Sequence, residues 1–536
     1  MKIRLIFSIL MIMTIGVQAQ EFGTNDLRIS DMGPNGATNF FALDPAVAYS
    51  ITDSKYLVVW SGDDDTGSLV DNEFEIYGQF IDALGNEVGT NDFRISFNNT
   101  DGNADFRTDT PDVTWNSITN QFFVVWEGET TVNGEVEIYG QIVNSDGTLS
   151  GGNFRISDTG PEGDTNFDAN GPEVAFNATN NEYLVVWESD ETINNNIEIY
   201  GQRISATGVE LGSNDFQIST QLPANDDNFD ARDPDVAWNS SSNEYLVVWQ
   251  GETATNEEKE IFAQRLNNNT TLLGSNFKIS DMGADGDTGF VALYPKLSYN
   301  ADDDKYLVVW QGSDLVSNQY EVYGQFISST GTEIGTNDFR ITSITDVNSN
   351  YDINRPEIVW NDTNNEFLIV YRGETTVDSE FEILGQLVDA SGNLISESFV
   401  LSDMGPNGDT NFGAFDGVVA TDSISNYIIA WQGDDDVAPL VGNENEIFIQ
   451  MYKNETLSIP DVRLNTEIKI YPNPANTYLY FNGHIENQTI NIYNVLGQEE
   501  LRTKVSNDKS IDVRKLKSGL YILKTEKQIV KFIKSN

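Results

Sequence analysis

Short apolar runs, each followed by a burst of Asn, Gly and Asp, recur along most of the chain. Tyr56-Leu57-Val58-Val59-Trp60 is the first of one kind, and its relatives end at Trp126, Trp187, Trp249, Trp310, Tyr371 and Trp431, spaced by 66, 61, 62, 61, 61 and 60 residues. A second run, Glu75-Ile76-Tyr77-Gly78-Gln79, returns with its Gln at Gln141, Gln202, Gln264, Gln325, Gln386 and Gln450. A third, Phe93-Arg94-Ile95-Ser96, returns at Phe154, Phe216, Phe277, Phe339 and Phe399. The fourth is Pro-x-Val-x-aromatic, beginning at Pro45 and degenerate in the seventh copy, Gly417–Thr421. Each run is β-branched or aromatic and bounded by turn formers, so each predicts one strand. Four strands in each of seven copies of about 61 residues predict an all-β, seven-bladed β-propeller over residues 20–456.

The ends of the repeat region predict how the ring shuts. Leu27-Arg28-Ile29-Ser30 is an outer-type strand with no blade before it, and the seventh copy lacks that strand after Gln450. The early strand is therefore expected to complete the last blade, which removes two sheet edges at once.

The two termini have different patterns. Lys2 and Arg4 precede an apolar run to Val17, followed by Val17-Gln18-Ala19, which predicts a secretory signal peptide over residues 1–19. The run is too short for a membrane span, and no later stretch is apolar enough for one. After a linker at 457–466 the charge balance reverses. Residues 461–536 hold 12 basic and 8 acidic side chains, whereas the rest of the chain holds 18 and 76. Ile468–Tyr471, Thr489–Tyr493, Leu520–Lys524 and Ile529–Ile533 predict strands of a small sandwich. Within it stand Tyr471-Pro472-Asn473-Pro474, then Gly497-Gln498 after an Ile-Tyr-Asn-Val-Leu run, then Gly519 with Tyr521, then Lys531-Phe532-Ile533-Lys534. This order of motifs over 467–536 resembles the type A C-terminal sorting domain of the type IX secretion system of Bacteroidetes. The resemblance implies export, the type IX machinery as a partner, and a product that is either released or held at the outer surface.

Composition closes several routes to chemistry. There is no Cys, and the single His, His484, lies outside the repeats. Thiolate chemistry is excluded, and His-based triads and zinc sites nearly so. A formal net charge of −54 argues against nucleic acid or anionic lipid as partner. What remains is carboxylate, hydroxyl, amide and aromatic chemistry.

Residues present in every copy are expected to be scaffold. The Glu, aromatic and Gln of the third strand share one face and predict a hydrogen-bond ladder between blades; the Trp of the second strand (Trp60, Trp126, Trp187, Trp249, Trp310, Trp431) predicts packing. Departures from symmetry are the better guide to a site. From the second-strand terminal residue to the third-strand Glu is 15 residues in copies one and seven and 11 elsewhere. The two long loops match: Asp63, Asp64 and Asp65 against Asp434, Asp435 and Asp436. Ring closure makes their blades neighbours, so these six aspartates are the candidate calcium ligands, since calcium is a hard cation that takes six to eight oxygens. A second oxygen-rich pattern, beginning at Asp31, Asp158, Asp281 and Asp403, enters alternate blades and has no EF-hand spacing. No residue is assigned a catalytic role. The function expected is a secreted or surface-held binding or adhesion module, with a polysaccharide or a surface protein as partner. A glycan-active enzyme using a carboxylate pair, or a structural surface protein with no small ligand, are the alternatives. The oligomeric state is left open.

Overall fold

The structure, a computed structural model, describes residues 20–536 except 35, 65–66, 99–100, 192, 221–228, 314–318, 344–352, 376, 407, 436–439, 455–468, 483–488, 496, 507 and 526–528. The proposed signal peptide, His484, Asp65 and Asp436 lie outside the described residues. The chain divides into two units, Met1–Thr456 and Leu457–Asn536.

The first unit is a ring of seven four-stranded antiparallel sheets. Blade 1 comprises Ala42–Ser50, Lys55–Asp63, Phe74–Asp82 and Glu87–Arg94, from the axis outward. Blades 2 to 6 repeat the order, starting at Thr108, Ala169, Ala231, Ala292 and Ile353. Blade 7 has only Gly413–Thr421, Asn426–Asp434 and Glu446–Lys453 of its own. Its fourth strand is Gln20–Arg28, antiparallel to Glu446–Lys453 with Phe22 opposite Met451 and Leu27 opposite Ile449. The ring therefore closes between the two ends of the repeat region, as the complementary deficit predicts.

Burial explains the strand types. The second strand is covered on both faces, so it reads as an unbroken apolar run rather than an alternating one. Its alternate side chains go to opposite neighbours. Leu57 and Val59 pack with Val113, Phe122 and Trp126 of blade 2, while Tyr56, Val58 and Trp60 pack with Ile428, Ala430 and Ile447 of blade 7. The core is thus a set of layers between blades. Truncating one such Leu or Trp to Ala costs about 2–5 kcal/mol where the cavity cannot collapse.

In blades 4 and 6 the outer strand shrinks to Phe277–Lys278 and Phe399–Val400. In blades 1, 3, 5 and 7 the Gln of the third strand holds the N–H of an Asp in a left-handed bulge, as Gln79 holds Asp92 (3.2 Å). Blades 4 and 6 place Asn276 and Ser398 there, and these bond Gln264 and Gln386 through their side chains instead.

The second unit has a three-stranded sheet (Lys469–Tyr471, Tyr478–Asn482, Ser510–Asp512) and a four-stranded one (Thr489–Asn494, Glu499–Lys504, Gly519–Lys524, Ile529–Lys534). Leu479, Phe481, Ile492, Ile511, Leu523 and Phe532 form its core. Tyr478–Asn482, Glu499–Lys504 and Ser510–Asp512 were not expected from the apolar pattern, because the first two mix Tyr, Glu and Lys with their apolar residues and the third is only three residues long.

Candidate functional site

The repeated polar residues build the scaffold, but not quite as their spacing suggests. The third-strand Glu does not reach another blade. Glu75 bonds Ser96 of its own fourth strand, and Ser96 Oγ accepts from Ile76 N at 2.7 Å. Glu137, Glu260 and Glu382 do the same with Ser157, Ser280 and Ser402. In blade 7 the partner of Glu446 is Ser30, from the closing strand. The ladder between blades is made instead by the Asn that ends the inner strand in blades 2 to 6. Asn116 donates to Asn181 and Tyr183, and Asn177 to Asn243 and Tyr245. Six of the second-strand terminal residues are Trp, all fully buried between blades.

The acids three places past that Trp are loop clamps. Asp63 Oδ2 accepts from Asn72 N (2.9 Å), Glu129 from Gly134 N (3.1 Å), Asp190 from Asn195 N (2.8 Å) and Asp434 from Asn443 N (2.5 Å). Each donor sits in the left-handed region, where its N–H turns back toward the loop. Burial raises the Asp63 carboxyl to about 6, and burial likewise raises that of Asp434. Asp64 and Asp435 belong to successive junctions. Asp435 Oδ1 accepts from Gly405 N (3.3 Å), in the loop leaving blade 6, and adds to the field on Asp26 beside Asp403 and Glu21. Asp64 acts on Asp92 beside Asp31 and Glu87. The four described aspartates are therefore equivalent pairs one blade apart. Among the described residues no group of three or more His, Asp or Glu is placed to hold a metal. The glycine-rich loops entering blades are held by a buried Glu two residues before the ladder Glu: Glu73 accepts from Gly102 N and Glu444 from Gly36 N (both 2.9 Å).

A polar cavity of about 380 Å³ lies on the ring axis, lined by all seven inner strands. Every inner strand breaks register just before its Pro position, and the bulge residue there has positive φ: Asp44, Thr110, Gly171, Asp233, Tyr294, Arg355 and Asp416, with φ between 45° and 57°. Five of the bulges are held from the preceding blade by the residue after the second-strand terminal residue, where that residue is Gln or Glu. Gln432 Oε1 accepts from Asp44 N (2.8 Å), Glu127 from Gly171 N (2.8 Å), Glu188 from Asp233 N (2.8 Å) and Gln250 from Tyr294 N (3.0 Å). Seven equal backbone positions thus present seven side chains of different chemistry.

Two of them form a carboxylate pair. Asp416 is ion-paired to Arg355 Nη1 (3.1 Å) and accepts from Gln432 Nε2 (2.7 Å). Asp44 has no ion pair among the described residues, and burial, with Asp416 and Asp109 adding, raises its carboxyl to about 7. Two residues further along each strand is a second ring: Ala46, Asp112, Glu173, Asp235, Lys296, Glu357 and Val418. Lys296 Nζ bridges Glu173 of blade 3 (2.5 Å) and Glu357 of blade 6 (3.0 Å). Burial opposes its charge, but those two carboxylates and Asp235 outweigh burial and hold the ammonium well above its usual range. Burial, with Glu173 adding, pushes Asp112 well up; its oxygens accept from Val113 N (2.7 Å) and Val174 N (2.8 Å). The variable residue between Pro and the aliphatic position could have been found in the sequence, since it changes in charge from copy to copy while its neighbours stay apolar or Gly.

Against known proteins, residues 469–535 match the secretion system C-terminal sorting domain, the type IX export signal. The protein is accordingly secreted or attached at the outer surface. No curated protein sequence matches the chain. Several solved structures are similar to it. They include a polysaccharide lyase PL25-ulvanlyase (8% identity, 81% of this chain and 96% of that one, TM-score 0.46) and a thermostable family-43 glycoside hydrolase (15%, 59% and 97%, 0.32). A third is the NanB sialidase of Streptococcus pneumoniae (9%, 81% and 70%, 0.39). These likenesses speak to fold alone. No helix among the described residues is long and apolar enough to cross a membrane.

Proposed function

We propose that the protein is a secreted or surface-held binding propeller whose ligand sits in the axial cavity. The observation that supports this reading is the ring of seven bulges. Their backbone is uniform, yet Thr110, Tyr294 and Arg355 occupy a conformation that costs such residues on the order of 1–3 kcal/mol each. Gly or Asn would hold the bulge at less cost, so a purely structural ring gives no reason for these side chains. The test is display of purified full-length protein on arrayed polysaccharides and outer-surface protein fractions. Wild type is expected to retain a component that Arg355→Ala with Asp416→Ala loses; equal retention by the double variant overturns the reading.

A second reading, hydrolysis of a glycan, is favoured by one specific feature. Asp44, raised to about 7, stands in the field of Asp416, which Arg355 pairs. An acid raised by burial beside a second carboxylate is the arrangement from which glycosidases divide their labour. New reducing ends from an arrayed glycan, absent with Asp44→Asn, would establish it. Calcium remains a proposal for the acidic loops. Because Asp64 and Asp435 serve separate junctions, a cation there would be bound once per junction, and Asp435→Ala would halve the uptake measured by titration.

A further inference from the structure

The axial cavity also constrains the form of its occupant, and this step rests on the binding reading above. Inner strands wall it on all seven sides, so a ligand cannot lie across it sideways. Nor can a chain thread freely along the axis, because Lys296 reaches from blade 5 to Glu173 of blade 3 and Glu357 of blade 6, past Asp235 of blade 4. Lys296, which keeps 23% of its side-chain surface exposed, lines the cavity and forms part of its floor. The cavity is a cup that receives an end.

The walls of the cup differ by sector. In the second ring blades 7 and 1 contribute Val418 and Ala46, which are aliphatic, two residues along from Asp416 and Asp44, whereas the other five blades place charged side chains there. The aromatic ring among the lining side chains, Tyr294, has the Arg355 guanidinium over it at 5.2 Å, so that face is taken and offers little to the apolar face of a sugar. The carboxylate in the aliphatic sector without an ion pair among the described residues is that of Asp44. One ring lower the same channel satisfies its carboxylates with an ammonium, that of Lys296. A cup with an aliphatic wall and an unpaired carboxylate at its lip fits an ammonium group attached to an aliphatic side chain at a chain end.

We propose that the cup binds the amino terminus of a polypeptide, its α-ammonium at Asp44 and a branched aliphatic first side chain against Ala46 and Val418. The experiment is isothermal titration of the full-length protein with the peptide Ile-Val-Gly-Gly-Ser, with its N-acetylated form, and with a glucosamine tetramer. The free peptide is expected to bind with acetylation weakening it about tenfold or more, as the lost ion pair requires. Asp44→Asn should weaken the free peptide similarly and leave the acetylated one unchanged. Val418→Phe, which fills the aliphatic wall, should abolish binding of both while the melting transition stays cooperative. Equal binding of the free and acetylated peptides, or a tetramer that binds while the peptide does not, overturns the amino-terminus assignment. No binding of either peptide overturns it too. If arrayed material is still retained through Arg355 and Asp416 in those cases, the binding reading survives. If that retention is also absent, both fall together.

Discussion

Glu75 and Lys296 show two ways in which buried charge is made tolerable. Glu75 gathers donors, Ser96 and the Arg94 guanidinium, yet burial still raises its carboxyl to about 7. Glu75→Ala leaves Ser96 and the donors around it without their acceptor, and an unsatisfied buried group costs about 1–3 kcal/mol. A denaturant midpoint lowered with unchanged slope is the expected reading. Lys296→Met removes the one ammonium among Asp112, Glu173, Asp235 and Glu357. Breaking a buried pair by deleting one partner costs on the order of 3–5 kcal/mol, so this variant should be among the most damaging in the channel. Urea melts check it, and they should show partial recovery as the pH is lowered, since burial raises the carboxyls of Asp112, Asp235 and Glu357 and they take up protons before ordinary carboxyls do.

At the scale of elements, the closing strand is the decisive piece. Gln20–Arg28 covers the edge of Glu446–Lys453, and Ser30 completes the ladder at Glu446. Deleting residues 20–30 bares a long strand edge, which templates pairing with other chains. Size-exclusion chromatography should then show higher oligomers, and the unfolding transition should broaden and shift down. Gly312 is a point of close approach. A Cβ there would lie 2.9 Å from Met282 Sδ, in the loop entering blade 5, and equally close to the Tyr323 ring. The sequence made these elements legible because all seven copies obey one burial pattern. It left the inner-strand bulges hidden, since a bulge is a mismatch between two strands and neither strand alone records it. It also misassigned the partner of the third-strand Glu, because face sharing tells where a side chain points but not which neighbour waits there.

For the whole molecule, acid dominates. Burial raises Glu75, Glu137, Glu260, Glu382 and Glu446 to about 7, and Asp26, Asp44 and Asp92 as well. A carboxyl raised on folding means that the native state binds more protons than the unfolded chain between the two values. Stability must then fall as pH rises from about 4.5 through about 7. Calorimetry should give a higher melting temperature at pH 5 than at pH 8, and added salt should narrow the gap by screening a formal charge of −54. Removal of residues 469–535 is expected to leave the propeller folded and the protein inside the cell envelope, as fractionation of the culture would show.

The strand count of the blades, the repeat length, ring closure and the sorting domain were determined by the sequence alone, because each depends on local periodicity or on a motif contiguous in the chain. The acidic loops were equally visible, but their roles were not. Asp63 and Asp434 proved to hold backbone N–H groups, and Asp64 and Asp435 to serve neighbouring junctions. Only the tertiary structure decided what faces the axis, since Asp44, Lys296, Arg355 and Asp416 lie tens to hundreds of residues apart and meet because seven twisted sheets converge on one line. That convergence, and the field that carboxylates from five or more blades exert on one another, exists only once the ring has closed.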